Sequence, residues 1–372
     1  MTRQITAYTC ITVYGHTVKA FFLSETEGKL PAPKDFSLTN AYRHFAGKTE
    51  SSGVEAVEKY NNGILIKVDP FLYSPDFAVQ CRNKSCAFTK ADIAEVKTEV
   101  ADDFKTYYED GIRYRMYTPN VDGPRPLVLF LHGGGESGTD NKKQLIGTYG
   151  PTSWAERFPE CYVMAPQAPL DGFYIPLRPY EPVEGDEFGR LAPRNAYDFK
   201  FPADYAEIGW GRTLLAKICH LIRLMIAEGK VDPKRVYVTG MSMGGAGTIR
   251  AFNVDRELFA AAVPICPFMS DEIANELAHA GKLPIWVTNA YVDNLFDRSK
   301  YLIDGVLHLM DEGNTNAHLT MFSKKEIERY GFGTEPNTDL QEQLGLNHNA
   351  AWVLTYSNEH GIMDWLMSQH KD

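Results

Sequence analysis

No apolar run of about 18 residues, the length a membrane-spanning helix needs, occurs in the 372-residue chain, so no membrane span is expected. Basic residues are in deficit, with 38 Lys and Arg against 48 Asp and Glu, a formal net charge of −10. That balance argues against nucleic acid or an anionic membrane as partner, since both need basic patches to displace counterions. A small neutral substrate fits better. Cysteine is sparse, and the six residues Cys10, Cys81, Cys86, Cys161, Cys219 and Cys266 form no CxxC unit and have no accompanying histidine series, so no metal site is expected. Cys161, Cys219 and Cys266 lie in apolar runs and read as small core residues. Cys81 and Cys86 leave two readings open, a small disulfide loop in an oxidising compartment or two free thiols. The opening MTRQITAYTCITVYG lacks the charged start and apolar block of a secretory leader. As numbered, the chain is expected in the cytoplasm; a chain whose leader had been removed before numbering would read the same and be secreted.

What is present divides into two halves. Up to about residue 103 the chain reads as short strands: TRQITAYTCITVYGHTVKAFFL alternates and breaks at Tyr14-Gly15-His16, GILIKVDP follows, and AFTKADIAEVKTEV holds at least one more. With turn residues between them and no helical period, these predict an all-β sandwich domain over 1–103. His16 and His44 have no carboxylate or thiol cluster beside them and read as surface or turn residues.

From about Phe104 the pattern changes. PLVLFLHGGGESG, CYVMAPQ, RVYVTG and KLPIWVTNAYVD contain continuous apolar strands, and GRTLLAKICHLIRLMIAEG has helical spacing with a terminal glycine. Fully apolar strands alternating with helices imply a parallel sheet covered on both faces, an α/β domain over 104–372.

The stretch VYVTGMSMGGAG places Ser242 between Gly240 and Gly244. The five letters GxSxG are weak alone, but a buried strand precedes them and a helix start rich in small residues follows, which is the setting of a nucleophile on a sharp strand-to-helix turn. A serine hydroxyl needs a base and an orienting acid, which follow in the order Ser, Asp, His in this type of fold. Asp293 closes an apolar strand and is the expected acid, with Asp297 as competitor. His348, in the loop GLNHNAAW before the last helical stretch, is the expected base, with His360 as rival; His308, His318 and His370 read as helix or tail residues. Charge developing on the carbonyl oxygen requires preorganised N–H donors. The backbone of Met243 supplies one, and His132-Gly133-Gly134-Gly135 offers the other at Gly134 or Gly135. His132 precedes the serine and reads as a brace for this loop.

These stretches, together with AAAVPIC, the strand ending in Asp293 and HNAAWVLTYSN followed by MDWLMSQ, resemble the bacterial carboxylesterases of the prolyl-oligopeptidase-like and phospholipase/carboxylesterase group, and within it the EstA-like esterases with an N-terminal immunoglobulin-like domain. The resemblance runs through most of 104–372; in the N-terminal part only architecture and length agree. It implies an α/β-hydrolase fold, a catalytic triad at Ser242, Asp293 and His348, no cofactor, and a homo-oligomer formed through the N-terminal domain. The family's His-Gly-x-x-Asp before the acid is replaced here by Asn289-Ala290-Tyr291-Val292-Asp293, which keeps Asp297 in play.

The resemblance does not cover an insertion over 168–209, long and rich in Pro and aromatics without helical period. Segments of that size are usually functional or disordered, and the aromatics argue against disorder. A lid is expected there, with Phe173, Tyr174 and Trp210 contacting substrate; packing against the β domain or a neighbouring subunit is the competing reading. The expected activity is carboxylic ester hydrolysis, with a feruloyl or acetyl esterase acting on polysaccharide-linked esters, a serine peptidase, and a carbohydrate- or protein-binding protein on a non-catalytic scaffold as alternatives.

Overall fold

The structure, a computed structural model, describes residues 4–24, 29–41, 52–73, 76–82, 84–169, 180–182, 191–193, 209–291, 299–331 and 351–371. The chain divides into two compact units, Met1–Asp103 with Ile146–Tyr149, and Phe104–Leu145 with Gly150–Asp372.

The first unit is all-β. Strands β1 (Ile5–Thr12), β2 (Gly15–Ser24), β4 (Val54–Tyr60), β5 (Gly63–Leu72) and β8 (Glu95–Thr98) form one sheet in the order β4-β5-β2-β1-β8. Strands β3 (Phe36–Thr39), β6 (Ala78–Cys81) and β7 (Phe88–Thr89) form a second, three-stranded sheet. Alternation puts every second side chain inward, and the two sheets share one core. Phe21 of β2 meets Phe88 of β7 edge-on at 4.9 Å, and Phe71 of β5 meets Phe77 at 5.0 Å. No disulfide joins Cys81 to Cys86, so of the two readings the closed loop is not formed.

The second unit carries an eight-stranded sheet. Its strands are β9 (Lys105–Glu109), β10 (Ile112–Tyr117), β11 (Arg125–Leu131), β12 (Tyr162–Gln167), β15 (Val231–Met241), β16 (Ala261–Ile265), β17 (Ile285–Ala290) and β18 (Ala317–Phe322), in the order β18-β17-β16-β15-β11-β12-β10-β9. From β18 to β12 all pairs are parallel. The antiparallel pair β9–β10 was not among the expected strands. Its signal is Asp110-Gly111, both at positive φ, a two-residue turn of the kind that joins twisted hairpin strands.

Period-two alternation splits β11 between two helical layers. Leu127, Leu129 and Leu131 join the core under α3 (Arg212–Ala227) and α4 (Met243–Val254). Phe130 points to the other face, against Tyr356 of the helix Ala351–Tyr356, with ring centroids 5.9 Å apart. The chain runs from β11 outward to β12, then crosses back to β15 on β11's other side. The loops after β11 and β15 therefore diverge, and this switch point is where open α/β sheets form their ligand crevice. Both the glycine loop and Ser242 lie there. Among the described residues no helix is long and apolar enough to cross a membrane.

Candidate active site

Ser242 sits between β15 and α4 with φ 55° and ψ −115°, a conformation that costs a non-glycine residue about 1–3 kcal/mol unless its surroundings impose it. They do. Ser242 N donates to Ile265 O at 2.9 Å, and Ser242 O accepts from Phe268 N at 2.9 Å and Ala246 N at 3.1 Å. From Val236 to Phe252 every residue is buried except Ser242. The turn thus lifts one hydroxyl out of the core.

Gly240 and Gly244 are demanded by close backbone approach rather than by torsion. A Cβ on Gly244 would run into Leu131 O and come within 2.6 Å of His132 O, and one on Gly240 would strike Leu131 O. The end of β11 is pressed against the turn, which brings the glycine loop to the serine. Met243 opens α4, so its N–H has no partner within the helix and adds to the helix's positive end.

The loop after β11 is held by a buried imidazole. His132 Nδ1–H donates to Gly133 O at 2.6 Å, and Nε2 accepts the Ala168 N–H at 2.9 Å. Both nitrogens are engaged in the neutral tautomer, and burial pushes the imidazole down to about 4. This is the bracing role expected of it. Beyond Gly133, Gly134–Glu136 forms a single 3-10 turn in which Gly134 is half-buried and Gly135 exposed. Gln167, at the end of β12, latches the far side: its Nε2 donates to Glu136 O and Asp140 Oδ1, each at 3.0 Å, and its Oε1 accepts from Asn141 N at 2.6 Å. Neither Gln167 nor Glu136 was singled out from the sequence. The available signal was an acid directly after the glycines and a glutamine closing an apolar strand.

Trp210 differs from expectation. At 1% exposure its indole is core, donating Nε1–H to His132 O at 2.9 Å, and its Cβ and Cγ lie 2.7 Å from where Gly247 would carry a Cβ.

Asp293, its competitor Asp297, His348, Phe173 and Tyr174 lie outside the described residues. Their anchoring elements do not. β17 ends at Ala290 and the helix Ala351–Tyr356 packs on the sheet beside it, with Thr288 Oγ1 3.0 Å from Thr355 Oγ1 and Tyr356 Oη 3.3 Å from Thr239 Oγ1. The rival base His360 is bound elsewhere, its Nε2 2.7 Å from Glu326 Oε1. Of the insertion, the described residues are 168–169, 209 and β13 (Tyr180–Pro182) paired antiparallel with β14 (Leu191–Pro193); the rest of the expected lid lies outside the described residues. Among the described residues no group of three or more His, Cys, Asp or Glu could hold a metal ion.

The profile of the prolyl oligopeptidase family matches residues 204–292, which run from before α3 through the serine turn to the end of β17. A solved thermostable esterase superposes over 99% of this chain and 100% of its own, with TM-score 0.67 and 23% identity. The C-terminal unit has the α/β-hydrolase fold. Esterase 2 of Thermogutta terrifontis superposes over 72% of this chain and 96% of its own, with TM-score 0.42 and 13% identity. An acetyl xylan esterase from Aspergillus awamori does so over 56% and 80%, with TM-score 0.37 and 14% identity. No curated protein matches the chain.

Proposed function

We propose that the chain is a serine carboxylesterase. One observation carries the reading: Ser242, half-exposed and at positive φ, stands at the switch point between a helix N-terminus and a glycine loop pressed against it. Ser242 Oγ attacks the ester carbonyl. His348 takes its proton and returns it to the departing alkoxide, Asp293 orients the imidazole, and water then attacks the acyl-enzyme. The N–H of Met243 and that of Gly134 or Gly135 receive the oxyanion, and a donor in this position is typically worth about a hundredfold or more in rate. The 1–103 unit is read as an immunoglobulin-like domain that promotes self-association, and 104–372 as the catalytic domain.

The match of 204–292 to the prolyl oligopeptidase family favours peptide cleavage as the second reading. Burst kinetics with p-nitrophenyl esters, methyl ferulate and a p-nitroanilide, on wild type, Ser242→Ala and His348→Ala, decide between them. Ester turnover lost in both variants with the fold retained is the expected result. Turnover of the anilide alone would move the peptidase reading forward, and activity kept by Ser242→Ala would remove the nucleophile assignment.

A further inference from the structure

The glycine loop ends in a carboxyl group that the reaction above does not use. Glu136 has its backbone tied at both ends, with N–H to Gly133 O at 3.3 Å and its carbonyl accepting from Gln167 Nε2 at 3.0 Å. Its side chain folds back over the loop. Oε2 lies 3.2 Å from where Gly133 would carry a Cβ, a position also 3.4 Å from Met241 Cε and 3.5 Å from Met241 O. Met241 immediately precedes Ser242, so the carboxyl group is wedged between glycine loop and serine turn. Oε2 is buried there without a hydrogen-bond partner.

A carboxylate only accepts hydrogen bonds, whereas a carboxylic acid can also donate one. An ionised Glu136 would draw on the nearest donors, which are the loop's own N–H groups, and would set a negative charge beside the place where the oxyanion forms. We propose that Glu136 is a positioning residue of the oxyanion loop that serves in its neutral, protonated form, and that its ionisation disables the hole. The inference rests on the serine-esterase reading.

The electrostatics agree. Burial raises the carboxyl group to about 7, against a partial downward pull from the backbone N–H groups of Glu136 and Gly133 and from the Lys143 cation. Among the described residues, the other ionisable neighbours on the packed elements are Asp140, which accepts from Lys142 N, Lys143 N and Gln167 Nε2, and the neutral His132. Ionisation of the base gives esterases a rising limb with pH. Glu136 adds a falling one.

The test follows the rate of Ser242 phosphonylation by a fluorophosphonate, and kcat/KM for p-nitrophenyl acetate, from pH 5.5 to 9 in wild type and Glu136→Gln. The wild type is expected to pass a maximum near neutrality and fall about tenfold per pH unit beyond the ionisation. Glu136→Gln should lose the falling limb, so that its rate at pH 9 exceeds the wild type's. In the unmodified protein, 13C-glutamate NMR should find one carboxyl group titrating near pH 7, which keeps the idea testable if the variant does not fold. A wild type without a falling limb, a limb that persists in Glu136→Gln, or no such carboxyl group would each overturn the inference while leaving the esterase reading intact. A wild type that takes no label at any pH would remove both.

Discussion

The indole Nε1–H of Trp210 donates to the carbonyl oxygen of His132 at 2.9 Å, and the two rings meet at 61° with centroids 4.8 Å apart. One side chain thereby couples the start of α3, whose N-cap Gly211 follows Trp210, to the glycine loop and, through Gly247, to α4. Trp210→Phe keeps most of the apolar contact and leaves the buried His132 carbonyl short of a donor. A loss of about 1–3 kcal/mol in urea unfolding is expected. Because the loop's N–H groups matter most when charge has developed, kcat should fall while KM changes little. A pure KM effect would show instead that Trp210 meets substrate.

Gly244 and Gly135 make opposite predictions although both belong to the same constellation. Alanine at 244 drives its Cβ into the backbone carbonyl groups of Leu131, the last residue of β11, and of His132 directly after it. Destabilisation of about 2 kcal/mol or more is expected. Gly135 has nothing within 4 Å of its Cβ position and is not at positive φ, so Gly135→Ala should stay within about 0.5 kcal/mol of wild type. Melting temperatures of the two variants side by side check both.

The strands of the parallel sheet were legible because burial on both faces leaves continuous apolar runs such as PLVLFL, and the serine turn was legible because its glycines are required by backbone contact. The β9–β10 hairpin is hard to read because β9, with Tyr108 on it, is largely exposed and has no buried face, while Arg113 and Arg115 interrupt the alternation of β10 with charge. The bond from Trp210 to His132 was hidden for a different reason: sequence tells that an indole is large and amphipathic but not which carbonyl will take its N–H. Glu136 and Gln167 acquire their roles only when the ends of β11 and β12 are brought side by side.

Two hydroxyl contacts carry the next prediction. Thr355 Oγ1 donates to Ala351 O at 2.8 Å, so the proton in its 3.0 Å contact with Thr288 comes from Thr288. Both side chains are fully buried. Thr355→Val therefore strands a buried donor on Thr288 and is expected to cost about 1–3 kcal/mol, whereas Thr288→Val leaves Thr355 still donating and should cost about 1 kcal/mol or less. The double variant should cost less than the sum. Since Thr288 lies on the strand leading to Asp293 and Thr355 on the helix following His348, kcat should drop in each single variant. Additive stabilities in urea unfolding would show that the contact carries no coupling.

His132 and Glu136 bend the pH dependence of stability in opposite directions, in windows that overlap between 4.5 and 6.5. The folded imidazole is held to about 4 against an ordinary 6.5, so between those values the unfolded chain binds a proton that the folded one refuses. Stability is present above pH 6.5 and is lost as pH falls toward 4, by on the order of 3 kcal/mol. The Glu136 carboxyl group is raised to about 7 against an ordinary 4.5, so its contribution is present below 4.5 and is lost as pH rises through 7. Across the overlap the two contributions oppose each other, so urea midpoints should fall with rising pH from 4.5 to 7 in His132→Gln and rise with pH from 4 to 6.5 in Glu136→Gln, each more steeply than in wild type. Midpoints whose pH dependence between 4 and 6.5 is the same in His132→Gln as in wild type would mean that the imidazole takes up its proton in the folded protein, and that the neutral tautomer bracing the glycine loop is not the state that prevails below pH 6.5.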